Sequence, residues 1–177
     1  MINFNFNFSK IFSLISKILK NKKYGIPVKL FISTNHGLAF KKNNNWRFDY
    51  KKCRGVGEMV SCHFVKFATS LFGEIKSFHK FENNFSHKTK KKNFDTINLN
   101  FVTKKNILVN IFNSYATPYV NYIKIFFTNS IVLYDGNNFS IHYPREVFDK
   151  KNRFKFPPKI FDTKLNFGDT WIDSMDK

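Results

Sequence analysis

The sequence predicts an α+β fold in which an open, mostly antiparallel sheet carries helices on one face. Three observations support this prediction. From residue 96 onward, apolar and polar residues alternate with the period of two that is typical of strands with one buried face. Two earlier segments instead repeat apolar residues at helical spacing. The links between the predicted strands are short, which favours antiparallel neighbours.

The N-terminal half of the chain contains both predicted helices. Residues 4–8 alternate Phe with Asn and predict a short strand. Ser9 is suited to cap a helix, and the apolar spacing after it predicts a helix over residues 11–19. Residues 27–34 are rich in β-branched and aromatic side chains, so they predict a strand. A second helix is predicted over residues 58–72, where the next residue is a glycine.

The rest of the chain is predicted to be mainly strands. They cover residues 75–81, 97–101, 107–112, 122–127, 130–134 and 139–143. The Asp-Gly-Asn-Asn sequence at residues 135–138 indicates a hairpin, because Asp-Gly tolerates the positive φ angles of such turns. We expect a sheet of about five or six strands. Pro144 and the Pro157-Pro158 pair interrupt the pattern, and the chain after them is predicted to be an extended tail.

Length and composition exclude several classes of protein. The 177 residues fit one domain, and none of the apolar runs approaches the roughly 20 residues that a membrane helix needs. Cys53 and Cys62 cannot frame a small disulfide scaffold and do not have the spacing of a metal site. We therefore expect a cytoplasmic protein without a metal centre.

The formal net charge of +18 raises the question of an anionic partner. Nearly all of the positive charge comes from lysine, whereas nucleic-acid-binding proteins usually also use arginine, whose guanidinium makes bidentate contacts with phosphates and guanine. Lys, Asn, Ile and Phe are enriched together, as codons rich in A and T would produce. We interpret the lysine-rich residues 87–93 as a solvated loop. The alternative is an electrostatic docking site for RNA or an acidic protein.

Residues 46–75 have the sequence WRFDYKKCRGVGEMVSCHFVKFATSLFGEI. This sequence resembles the active-site helix of the glucose-fructose oxidoreductase / inositol dehydrogenase / MocA (Gfo/Idh/MocA) family of nicotinamide-dependent sugar and polyol dehydrogenases. The family signature is Gly-Gly-Gly, three spacer positions and then Asp-x-Gly-x-His-x-x-Asp. When it is anchored on His63, its third glycine falls at Gly55. Met59 stands at the position of its first Asp, and Ser61 at the position of its later glycine.

The resemblance covers about residues 2–175 and implies a domain organisation. Residues 1–20 would be a remnant strand and linking helix of a cofactor domain, and residues 21–145 a C-terminal α+β domain of the Gfo/Idh/MocA type. Residues 146–177 would be an extended, truncated tail. The sequence contains no Gly-x-Gly-x-x-Gly fingerprint, so we expect the Rossmann domain to be absent from these 177 residues.

The resemblance also implies the site residues. His63 would be catalytic, because a neutral imidazole can take the proton of a substrate hydroxyl. Met59 can neither bind a proton nor orient that imidazole. The substrate-binding residues would be Asn35, His36, Trp46 and Arg47. We predict no cofactor-binding or metal-binding residue, and we expect His79, His87 and His142 at the surface.

Our leading hypothesis is the C-terminal substrate-binding and oligomerisation part of an NAD(P)-dependent sugar or polyol oxidoreductase. It would be a fragment or split subunit, inactive alone, since the chain by itself would not bind the NAD(P) that the family uses. Its partners would be a sugar or polyol, and a separate Rossmann-domain chain or a second copy at the sheet face. Nucleic acid and membranes are disfavoured. The rival hypotheses are the basic adaptor module and a structural subunit that pairs with an intact relative.

Overall fold

The computed structural model describes residues 4–36, 51–86 and 93–165. Within these ranges, eight strands form one sheet and two α-helices pack against it. The helices are α1 (Lys10–Lys20) and α2 (Cys62–Phe72). The strands are β1 (Pro27–Asn35), β2 (Ile75–Asn83), β3 (Thr96–Thr103), β4 (Leu108–Ser114), β5 (Val120–Phe127), β6 (Ile131–Tyr134), β7 (Asn138–His142) and β8 (Lys159–Lys164). The predicted α+β class with an open sheet is confirmed.

The strand order across the sheet is β2-β3-β4-β1-β5-β6-β7-β8. Neighbouring strands are antiparallel, except that β1 runs parallel to β4. The central strand β1 is therefore hydrogen-bonded along both edges, and Ile32 lies opposite Ile111 and Ile123. A strand in this position is buried, which agrees with the apolar sequence of β1.

The two faces of the sheet differ in what covers them. Successive strand residues point to opposite faces, so alternate residues share one environment. On one face, side chains such as Leu30, Ile32 and Ile111 join the buried residues of α1 and α2 in one core. The opposite face, which we term the open face, keeps half-buried apolar side chains: Phe31, Phe112, Tyr122, Phe126, Ile131 and Leu133.

Helix α1 begins and packs as its sequence predicts. The Ser9 hydroxyl accepts a hydrogen bond from the backbone N–H of Phe12 at 3.2 Å, which caps the first turn. Ile11 and Ile15 are buried on the side that faces the sheet. The Phe12 ring meets the Phe67 ring of α2 edge-on, with ring centres 5.6 Å apart. The two helices therefore pack on the sheet as one layer.

The structure corrects several sequence-based predictions. Residues 4–8 do not form a strand: Asn5–Phe8 is a 3-10 turn, in which Phe6 packs on Phe64 while Phe8 is exposed. The region predicted as the second helix begins with a π-helical turn, Gly57–Ser61. The predicted tail contributes β8, which extends the sheet beyond the expected number of strands. The proposed domain boundaries stay predictions.

His142 was expected at the surface but is buried. The chain after β7 folds back over it, so that its Nδ1 donates to the carbonyl oxygen of Pro157 at 3.0 Å. Its ring also lies 4.8 Å from that of Phe156. His79, on the edge strand β2, is exposed as predicted, and His87 lies outside the described residues.

Candidate functional site

The start of α2 is fixed by a close approach between two backbone segments. Gly55 has φ +100°, and a Cβ at this position would lie 2.5 Å from the carbonyl oxygen of Phe94. The next residue, Val56, donates its N–H to that same oxygen at 3.0 Å. Only glycine fits such a conformation without strain. The π-helical turn Gly57–Ser61 follows at once and leads into α2.

His63 lies in the first turn of α2, next to the 3-10 turn at the N-terminal end of the described chain. The rings of Phe4 and Phe6 each meet the imidazole edge-on, with centres 5.9 Å away. The Nδ1 atom is buried and has no hydrogen-bond partner among the described residues. Burial lowers the pKa of His63 below its ordinary value. The imidazole is therefore neutral near pH 7, the form that can accept a proton.

The residue four positions before His63 supplies no second acid. Met59 carries a thioether, which cannot orient the imidazole as a carboxylate would. No ion pair joins His63 to a carboxylate in the described ranges, and burial alone accounts for the lowered pKa. Glu58 and Cys62 also lie near the start of α2, but burial raises the pKa of the Cys62 thiol, and no described hydrogen bond or ion pair joins either group to the His63 imidazole.

A buried hydrogen-bonded chain joins the start of α2 to the end of β1. The Ser61 hydroxyl donates to Oδ1 of Asn113 at 2.6 Å. The Nδ2 of Asn113 donates to the carbonyl oxygen of Thr34 at 3.0 Å. The next two residues in the chain are Asn35 and His36, both predicted to bind substrate. The network therefore connects the helix of His63 with the strand end that carries these residues.

The two residues at the end of β1 that are predicted to bind substrate have contrasting surroundings. Asn35 is buried, and its Oδ1 has no hydrogen-bond partner among the described residues. The centre of the His36 ring lies 6.3 Å from that of Tyr115 and 6.4 Å from that of Tyr119. His36 also donates its backbone N–H to Ser114 at 3.1 Å. Trp46 and Arg47, the other two predicted residues, lie outside the described residues.

Sequence reasoning missed two asparagines on the helix-covered face. Asn113 and Asn121 both lie beside Thr34 in the sheet. Asn121 donates from Nδ2 to the hydroxyl of Tyr119, and its buried Oδ1 has no partner in the described part of the chain. In the alternation of their strands, both asparagines occupy positions equivalent to those of the buried isoleucines. A polar residue at such an inward-facing position was the sequence signal that could have identified them.

The described residues do not offer a cradle for a dinucleotide. Pyrophosphate sites of this kind use a glycine-rich turn between a parallel strand and a helix. The one parallel pair in the described sheet is β1 with β4, and the 177 residues contain no Gly-x-Gly-x-x-Gly sequence for such a turn. The described residues therefore do not fit the pyrophosphate of NAD(P).

Metal and membrane sites are not found in the residues that the structure describes. No group of three or more His, Cys, Asp or Glu side chains there is arranged to hold a metal ion. Cys53 and Cys62 are both free thiols. No described helix is long and apolar enough to span a membrane. Lys88–Lys92, on which the adaptor hypothesis depends, lie outside the described ranges, so that hypothesis stays a prediction.

Comparisons with known proteins agree with this architecture. The sequence profile of the GFO/IDH/MocA C-terminal domain matches residues 12–133. Comparison with curated proteins found no match. Among solved structures, levoglucosan dehydrogenase in complex with NADH and levoglucosan superposes with a TM-score of 0.75 at 12% identity, covering 99% of this chain and 54% of that one.

Two further structures give similar superpositions. For an oxidoreductase of Desulfitobacterium hafniense described as NADPH-dependent, the TM-score is 0.73 at 13% identity, covering 97% of this chain and 52% of that one. For a myo-inositol dehydrogenase of Corynebacterium glutamicum it is 0.67 at 19% identity, covering 98% and 50%. At these identities the likeness establishes the fold, and the chain spans about half the length of each relative.

Proposed function

Since the chain belongs to the GFO/IDH/MocA family, we propose that it is the substrate-binding and oligomerisation part of an NAD(P)-dependent sugar or polyol oxidoreductase. The observation that carries this proposal is the placement of His63. Its neutral imidazole lies in the first turn of α2, and its buried Nδ1 lacks a partner among the described residues. A buried polar group without a partner requires an explanation, and a ligand hydroxyl is one.

The role of His63 in the proposed reaction is to take a proton. Oxidation of a carbinol releases its hydroxyl proton, and an imidazole with a pKa at or below neutrality can accept it. Because Met59 replaces a second acid, His63 would act without a carboxylate to orient it. The rings of Phe4 and Phe6 limit its rotation instead.

The substrate would lie between α2 and the end of β1. Asn121 there carries an amide oxygen without a partner among the described residues, and Tyr115 and Tyr119 add aromatic rings. Asn35, at the same end of β1, is in phase with Phe31 of the open face and also has an amide oxygen without a described partner. Sugars and polyols present many hydroxyl donors, and sites that bind hydroxyls reject analogues that lack them. Trp46 and Arg47 remain proposed members of this site.

The coenzyme would be held outside these 177 residues. The described residues do not fit a dinucleotide, so we assign its binding to a Rossmann domain elsewhere in a longer polypeptide or in a partner chain. The purified 177-residue chain should then show no NAD(P)-dependent turnover with any sugar. Turnover by that chain alone would contradict this assignment.

Binding of a sugar can be tested without catalysis. The chain should be titrated with levoglucosan and with myo-inositol, the compounds named for two of its structural relatives. We expect the NMR signals of the His63 imidazole to move on titration. The Asn121→Ala variant should weaken binding, whereas Asn110→Ala, on the open face, should not. If neither compound moves the His63 signals, the proposed substrate class is wrong.

The open face is proposed to bind a second copy of the domain. Phe31 and Tyr122 are in edge-on contact there at 6.1 Å, and Lys124 lies 4.6 Å from the centre of the Phe126 ring. Half-buried apolar side chains on a sheet face that none of the described helices covers are typical of an interaction surface. Light scattering on eluted fractions should show a dimer that Phe126→Lys dissociates. Phe154→Lys, a change at an exposed ring outside this face, should leave it intact.

A further inference from the structure

The buried link between Ser61 and Asn113 stands out from the other side-chain contacts of the sheet. Ser61 is 1% exposed and Asn113 is 0% exposed. Their hydrogen bond spans 2.6 Å and joins residues that are 52 positions apart in sequence. The Asn113 amide is satisfied on both sides, because it accepts from Ser61 and donates to the carbonyl oxygen of Thr34. Buried polar chains with every group satisfied fix a single arrangement of the elements they join.

The position of this link relates it to the proposed site. Ser61 is the last residue of the π-helical turn, and His63 follows it by two residues. Two residues span about 200° of a helix, so Ser61 faces the sheet while His63 faces the rings of Phe4 and Phe6. At the other end of the link, the Thr34 carbonyl immediately precedes Asn35.

We infer that Ser61 and Asn113 are positioning residues, which fix the His63 imidazole relative to the end of β1. The catalytic importance of this positioning rests on the proposed function. Its structural part concerns only how the first turn of α2 is held. A π-helical turn contains one residue more than regular α-helix needs, and such turns are frequent at functional sites. The hydroxyl of Ser61 holds the end of this turn on the sheet and so decides how closely His63 packs on Phe4 and Phe6.

The test uses the pKa of His63, measured by NMR titration of its imidazole in the full 177-residue chain. In Ser61→Ala, the first turn of α2 loses its attachment to the sheet and water gains access to the imidazole. We expect the pKa to rise toward its ordinary value of about 6.5. Thr69→Ala is the matched control, because the Thr69 hydroxyl donates to the Lys66 carbonyl within the same helix, at 3.1 Å, and makes no described hydrogen bond to the sheet. Its His63 pKa should equal that of the unaltered chain.

A double-mutant cycle tests whether the two residues act together. Ser61→Ala, Asn113→Ala and the double variant should all shift the His63 pKa by the same amount, since either change breaks the link. Additive shifts would overturn the inference. So would a Ser61→Ala variant that loses stability to urea but keeps the original His63 pKa, because the link would then be purely structural. If Asn113→Ala does not fold, Ser61→Ala and Thr69→Ala still decide the question.

A sugar titration separates this inference from the proposed function. If the unaltered chain binds levoglucosan or myo-inositol, Ser61→Ala should weaken that binding several-fold and Thr69→Ala should not. Equal binding by both variants would overturn the positioning role. If the unaltered chain binds neither compound, the proposed substrate class fails, while a His63 pKa that responds to Ser61 still supports the link.

Discussion

Gly55 is the position where one added methyl group should disturb the start of α2 most directly. Its φ of +100° is costly for any other residue, and its Cβ would lie 2.5 Å from the carbonyl oxygen of Phe94. Gly73, at the other end of α2, has a similar φ of +92°, but its nearest neighbours are side-chain carbons of Lys105 at 3.7 Å or more. The two glycines therefore share the backbone strain and differ in the close approach.

The expected magnitudes follow from this difference. Alanine in such a backbone conformation costs on the order of 1–3 kcal/mol, and Gly73→Ala should lose about that much. Gly55→Ala must also displace the Phe94 carbonyl from the N–H of Val56, now at 3.0 Å. A buried hydrogen bond left unmade costs about 1–3 kcal/mol more. We therefore expect Gly55→Ala to be the more destabilising change by roughly that amount.

Urea denaturation provides the measurement. The free energy of unfolding is extrapolated to water for the unaltered chain and both variants, and equal slopes would show that the variants unfold between comparable states. The Gly55 variant should also broaden the NMR signal of His63, because the π-helical turn that leads into its helix begins two residues after Gly55. A Gly55→Ala chain as stable as Gly73→Ala would refute this reasoning, since the close contact with Phe94 would then contribute nothing to the difference in the free energy of unfolding.

Three further predictions concern His63, the α1 cap and the core. Because the pKa of His63 is lowered in the folded chain, the unfolded chain takes up this proton at a higher pH than the folded chain does. The free energy of unfolding should therefore fall as the pH drops through about 6.5. In urea curves measured across that pH range, His63→Gln should remove this component. Ser9→Ala removes the acceptor for the Phe12 N–H and should cost about 1 kcal/mol in the same assay, and no loss would mean that the cap is redundant. Phe67→Ala should cost about 3–5 kcal/mol because its ring is 1% exposed, whereas Phe154→Ala, at 81% exposed, should stay within about 0.5 kcal/mol; similar losses would contradict the assignment of the core.

The sequence was most informative where periodicity and turn chemistry act locally. Period-two segments after residue 96 became β3 to β7, and the Asp135-Gly136 turn joins β6 to β7 with Gly136 at φ +98°. The Ser9 cap and the helical spacing after it located α1. In each case the signal lies within a few residues of the structure it specifies.

The errors arose where long-range contacts decide the structure. The alternation in residues 4–8 is that of a strand, but the burial of Phe6 against Phe64 selects a 3-10 turn. His142 became buried because the chain near Pro157 folds back over it. Neither contact can be read from local periodicity. Proline-rich sequence likewise concealed β8, since an edge strand tolerates flanking prolines.

The candidate site was predicted in part. Family signature positions pointed to His63, and the structure places it in the first turn of α2 with a lowered pKa. Its catalytic role stays a prediction, as do the substrate roles of Asn35 and His36. Asn113 and Asn121 were missed because their importance depends on cross-strand register with Thr34, which no short segment encodes.

The central place of β1 in the sheet has a consequence during synthesis. Both of its neighbours, β4 and β5, lie roughly 70 or more residues later in the chain. At about 5–20 residues per second, the ribosome needs several seconds to make them. For that interval a nine-residue strand rich in apolar side chains has two unpaired edges. Nascent β1 is thus a segment to which a chaperone could bind during synthesis.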